Sequence, residues 1–181
     1  MSALGAPEQA AAEATRRWLE KAVIGLNLCP FAKAPYAKGR VRIVVSSADN
    51  EDHLLADLSD ELQYLYDTDE NEVETTLLVH PYVLRDFIEF NDFHDLAEGA
   101  VTAMGFEGEI QVATFHPDYE FADAPVNDPA NNTNRSPYPT LHLLRESSIE
   151  RMVERVEDAD DIYRRNIERM RELGQSGWKA L

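Results

Sequence analysis

Apolar positions in the first third of the chain fall at helical spacing. Trp18, Ala22 and Leu26 share one face of a segment running roughly from Glu8 to Leu26, with Leu19 and Val23 beside them, and this predicts a first helix. Gly25 and Asn27 weaken its end and Pro30 stops it. Arg40 to Val45 alternates and is β-branched, which reads as a strand. Leu55, Leu58, Leu62 and Leu65 then return to helical spacing, and Ser46, Ser47 and Asp49 stand where they can cap that helix.

Two further strands are predicted at Thr75 to Val79 and Ile110 to Phe115, each closed by a His-Pro pair, His80-Pro81 and His116-Pro117. Pro81 suits the first turn of the helix between them, whose inward face reads as Leu84, Phe87, Ile88, Asn91, His94 and Val101. A fourth strand covers Thr140 to Leu144. Ser147 with Glu150 has the pattern of a capping box, opening a helix with Ile149, Met152, Val153 and Val156 on its face. Asp158, Asp160 and Asp161 mark a second start, and Gly174 is placed to end the last helix.

Two successive strand-helix-strand units favour parallel pairing. The expected architecture is therefore α/β: a single-layer, about four-stranded, mostly parallel sheet flanked by helices, with a ferredoxin-like α+β arrangement as the alternative. In the parallel arrangement Ser46, His80 and His116 leave the sheet at one edge, the carboxyl edge where open α/β sheets bind ligands. In the ferredoxin-like one, the two histidines can fall on opposite edges. The chain of 181 residues is expected to form one domain over 1–181, with 1–7 a loose tail.

Between the third and fourth strands, residues 116–139 lack hydrophobic periodicity and are rich in Asn, Asp, Tyr and Pro. A polar connection of this length is characteristically a binding loop or lid. Several blocks resemble a bacterial family, the domain of unknown function numbered 1415: GLNLCPFA at 25–32, ETTLLVHP at 74–81, DFIEFNDF at 86–93, FHPDYEFA at 115–122 and NNTNRSPYPTLHLLRE at 131–146. The resemblance covers roughly residues 15–155. It implies a one-domain bacterial protein of this size and carries no catalytic residues with it.

Composition narrows the function classes. A net charge of −17, with Arg85 the only Arg or Lys between Asp49 and Glu98, repels phosphate backbones and anionic headgroups, so neither nucleic acid nor membrane is an expected partner. The N-terminus has no basic region followed by an apolar one, and the single cysteine makes no intramolecular disulfide. Both features lead to the expectation of a cytoplasmic protein.

The candidate chemistry lies at the strand ends and in the loop. His80 and His116 are candidate acid or base groups, and Cys29 a candidate nucleophile if its loop folds over them. With His142 the two histidines form a candidate set for a divalent metal, although no pair has a recognised ligand spacing. Arg135 and Arg145, with Asn131, Asn134 and Tyr138, are candidates for binding a small anion. Two functions follow: an enzyme acting on a small anionic metabolite at a His/Arg/Asn site, or a non-catalytic module that binds a ligand or a protein through the loop.

Overall fold

The computed structural model describes residues 4–156 and 158–181. Residues 1–3 of the expected tail lie outside them, while Ala6 and Pro7 already belong to the first helix. Pro7 fits there because the first-turn N–H groups have no partner inside the helix. Helix α1 (Ala6–Trp18) runs directly into a π turn (Leu19–Ile24), and Asn27, with φ of 54°, turns the chain out of it. There follow α2 (Lys33–Ala37), β1 (Val41–Val45), α3 (Glu51–Asp67), β2 (Thr75–Val79), α4 (Phe87–Ala103), β3 (Ile110–Phe115), a 3-10 segment (Pro129–Asn134), β4 (Thr140–Arg145), α5 (Glu146–Glu154) and α6 (Ala159–Lys179).

The four strands stand in the order β1-β2-β4-β3. β1 and β2 are parallel, while β4 is antiparallel to both β2 and β3. The expectation of a mostly parallel sheet is corrected by this: β1, β2 and β3 point the same way, but only one of the three adjacent pairs is parallel. The cause is the connection after β3, which contains no crossover helix and brings the chain back beside its own strand and against β2. The chain order β-α-β-α-β-β also departs from the ferredoxin-like alternative, which runs β-α-β-β-α-β.

Strand alternation divides the core between two faces. Leu78, Val112, Leu141 and Leu143 pack with Leu54, Leu58, Leu62 and Leu65 of α3 and Phe90, Phe93, Ala97 and Val101 of α4. On the opposite face Leu77, Val41, Ile43 and Phe115 meet Trp18, Leu19 and Ala22, and Trp178 joins from the end of α6. Closer to the carboxyl edge, Ala11 of α1 meets Val45, Val79 and Tyr138.

Three helix starts differ from the sequence reading, and each difference lies in a cap. Ser46 is not the cap of α3: its hydroxyl donates to Asp57 and accepts from the N–H of Ala48, leaving Asn50 to accept from His53. Helix α4 does not begin at Pro81 but at Phe87, where the Asp86 carboxylate accepts from the N–H groups of Ile88 and Glu89. That later start turns Phe90 and Phe93 inward and leaves Ile88 67% exposed. Helix α5 follows β4 without a break and makes no use of the Ser147/Glu150 box.

Candidate functional site

The residues following β1, β2 and β3 stand together at one edge, as the register requires: Val45 pairs with Val79, and Val79 and Phe115 both pair with Thr140. His80 and His116 therefore flank the start of β4, and both side chains turn toward α4 and are fully buried. Both pack against Phe90, whose ring is 5.6 Å from that of His80 and 4.9 Å from that of His116.

Their hydrogen bonds go to the β2–α4 connection. His80 donates from Nδ1 to the Val83 carbonyl at 3.0 Å, and His116 donates from Nε2 to the Leu84 carbonyl at 3.1 Å while its Nδ1 accepts from the N–H of Asp118. Leu84 is held at φ of 57°, a left-handed conformation that a leucine adopts only under constraint. Burial drops the His80 imidazole to about 4, helped by the neighbouring His116, and also pushes His116 down. Both are neutral at pH 7, and Nε2 of His80 is buried without a hydrogen-bond partner among the described residues.

The other candidates do not join this pair. His142 sits in the middle of β4 on the opposite face, against Phe115, with its Nε2 2.7 Å from the hydroxyl of Thr75, and burial brings it to about 4. Cys29 lies beyond the π turn, beside the Leu28 carbonyl that accepts from Asn166 of α6, and burial raises its thiol pKa. Arg145 occupies the far end of β4, where its guanidinium donates to the carbonyls of Leu65, Thr68 and Val73 and closes the carboxyl end of α3. Among the described residues no three His, Cys, Asp or Glu side chains are grouped as metal ligands.

The asparagines are engaged in holding the long loop. Fully buried Asn131 accepts from the N–H of Phe121 and donates to the Pro125 carbonyl, and Asn134 donates to the Thr114 carbonyl. Tyr138 packs beside Ala11, Val45 and Val79, and its carbonyl accepts from Ser136 and Thr140. Asn132 bridges outward: its Nδ2 donates to Gln175 at 3.2 Å, and its Oδ1 accepts from Nη1 of Arg135 at 3.3 Å. Arg171 of α6 adds an ion pair with Asp128 at 2.9 Å. The end of the last helix, the 3-10 segment and Arg135 thus form one connected unit.

That unit faces α1 across a cleft of about 400 Å³. Helix α1 and its π turn contribute Ala14, Arg17, Trp18, Lys21 and Ala22, which are spaced i, i+3, i+4, i+7 and i+8 and so form one helical face. Pro117 and the Arg135–Pro137 stretch form the second wall, and Trp178 and Leu181 the third. Gly174, at φ of 67° and ψ of 175°, breaks α6 one turn before Trp178 and directs the indole to this wall.

Arg17, Lys21 and Arg135 make no ion pair among the described residues. Arg135 is fixed by donating from Nε to the Tyr119 carbonyl and from Nη1 to Asn132. A guanidinium has five N–H donors, so three remain, one on Nη1 and two on Nη2. Trp18 is 8% exposed, and its indole N–H has no partner among the described residues.

Of the candidate site residues named from the sequence, Arg135 alone lines this cleft. Trp18 and Ala22 were expected on an apolar helix face and Pro117 at a strand end, not in a site, and Arg17, Lys21 and Trp178 were not foreseen. The available signal was the pair Arg17 and Lys21, like charges four apart on the face that carries Trp18, in a chain with only four lysines.

Among the described residues, no helix is long and apolar enough to cross a membrane. Comparison with curated proteins and with solved structures finds no match. A family model, Protein of unknown function (DUF1415), matches residues 10–180, nearly the whole chain including every wall of the cleft except Leu181, and the chain belongs to that family.

Proposed function

We propose that this protein binds a small organic anion in the cleft between α1, Arg135 and Trp178, as a ligand-binding module. The observation that carries the reading is the set of three cations, Arg17, Lys21 and Arg135, grouped around one apolar cleft, without carboxylate partners among the described residues, in a chain of net charge −17. Arg17 and Lys21 repel each other across one helical turn, and an anion between them and Arg135 turns that cost into attraction. The volume of about 400 Å³ lies in the range of small-molecule sites.

The alternative, catalysis by His80 and His116, is disfavoured by their burial and by hydrogen bonds that commit them to the β2–α4 connection. A general acid or base must reach the proton it transfers, and neither imidazole lines the cleft. Cys29 does not line the cleft either.

The test is a calorimetric screen of phosphate and common carboxylates against the wild type and Arg135→Ala, beside melting curves of both. Binding to wild type, with Arg135→Ala weaker by about 1.5 to 3 kcal/mol and still folded, is the expected result. Equal binding by both proteins excludes this cleft as the site.

A further inference from the structure

The walls of the cleft indicate what kind of anion it takes. The chain has two tryptophans, and both line this cleft. Trp18 is largely buried against Phe115 and forms part of the cleft's base, and Ala14 and Ala22, four residues to either side of it, are too small to fill the space beside it. Pro117 and Pro137 add rigid apolar surface on the facing wall, and Trp178 is set by the Gly174 break and by the Gln175–Asn132 hydrogen bond. A compact ion such as phosphate would leave most of about 400 Å³ of apolar-walled space to water.

From this juxtaposition of two indoles and three cations we infer that the ligand carries its negative charge on a flat aromatic body, which lies against Trp178 beside the largely buried Trp18 while its anionic group reaches Arg135, Arg17 and Lys21. Aromatic faces stack on indoles in offset or edge-to-face geometry, and the arginines can lie over such rings as well as pair with the anion. The chemistry is shared by aryl carboxylates and by mononucleotides, whose base and phosphate are joined in the same way. This inference rests on the reading of the cleft as an anion site and adds the ring to it.

The experiment is a calorimetric titration of the wild type and of Trp178→Leu with matched probes: phenylacetate against acetate, AMP against inorganic phosphate, and benzyl alcohol as the ring without a charge. Tryptophan emission, which reports on this cleft alone, is followed in parallel. At least one aromatic anion is expected to bind tenfold or more tighter than its ringless counterpart and than benzyl alcohol, and to shift the emission. Trp178→Leu, which keeps apolar bulk but removes the flat face, is expected to remove most of that preference and leave the ringless anion unchanged. The pair that shows the preference tells an aryl acid from a nucleotide.

Acetate or phosphate binding as tightly as its aromatic counterpart overturns the inference and leaves the anion site standing. Benzyl alcohol binding as tightly as phenylacetate removes the charge from the account and overturns both. No binding by any probe also overturns both.

Discussion

His80 shows how a residue picked out by its position can have a structural role. It follows a strand at the ligand-binding edge of an α/β sheet, which favours a functional reading, yet its side chain alternates to the buried face and its Nδ1–H is committed to Val83. Its consequence is for stability. With the folded imidazole at about 4 and the unfolded one at about 6.5, the unfolded chain binds more protons between those values, so stability is lost as pH falls through that window and levels off below it. Urea midpoints measured from pH 7.5 to 4 should fall, and His80→Asn, which keeps a donor near Nδ1, should remove on the order of 3 kcal/mol of that dependence. Residual slope belongs to His116 and His142, which burial also holds down, and near pH 4 to Glu8, Asp69 and Asp128, whose carboxylates hydrogen bonds hold below their ordinary values.

Arg145 makes the same point with a charge. It lies at the opposite end of β4 from Arg135, and its carbonyl partners on α3 and after it leave an anion little of its fork. Arg145→Ala should lower stability by about 2 to 4 kcal/mol, because several charged hydrogen bonds are lost and partly buried carbonyls are left without this donor. The same change should leave anion binding in the cleft within a factor of about two, for residues this far apart act independently. Chemical denaturation beside an anion titration checks both.

At the scale of elements, strands β2 and β3 were legible to the residue because β-branched alternation ended by His-Pro is a local signal. The start of α4 was not, because Pro81 offered a first turn and the Asp86 cap became visible only with the loop that the histidines hold. The antiparallel placement of β4 was hidden for a related reason: the long loop returns the chain by contacts between residues far apart in sequence, such as the N–H of His116 with the Asn134 carbonyl and that of His80 with the Pro139 carbonyl.

Gly174 joins sequence signal to site. It was read as the end of a helix, and its conformation is one that only glycine adopts readily, but the helical turn beyond it carries Trp178 into the cleft. Gly174→Ala should cost about 1 to 3 kcal/mol or straighten α6, and in either case displace the indole. Reduced ligand affinity together with a changed tryptophan emission spectrum is expected, whereas unaltered emission would dissociate the break from the site.

Over the whole molecule, charge is the organising quantity. Carboxylates outnumber Lys and Arg 34 to 17; Arg42, Arg151 and Arg171 each hold one, and Arg164 holds two, Asp158 and Asp161. The three cations of the cleft, like most of the other bases, have no ion pair among the described residues; what sets them apart is that α1, the Arg135 loop and the packing of α6 bring them to one cavity. Sequence reasoning found the Arg135 wall because loop composition is visible locally. It missed the walls formed by 14–22 and 178, because only the folded chain brings these to residues 117 and 135–137.

The most direct measurement is a titration of tryptophan emission with an aromatic carboxylate in the wild type and in the double variant Arg17→Gln, Lys21→Gln. Both side chains are exposed and have no carboxylate partner among the described residues, so the fold should be unaffected, and a melting curve verifies it. The account predicts a saturable emission change in the wild type and affinity weakened at least tenfold in the variant, equivalent to about 1.4 kcal/mol or more. An isotherm unchanged by loss of both cations would contradict it.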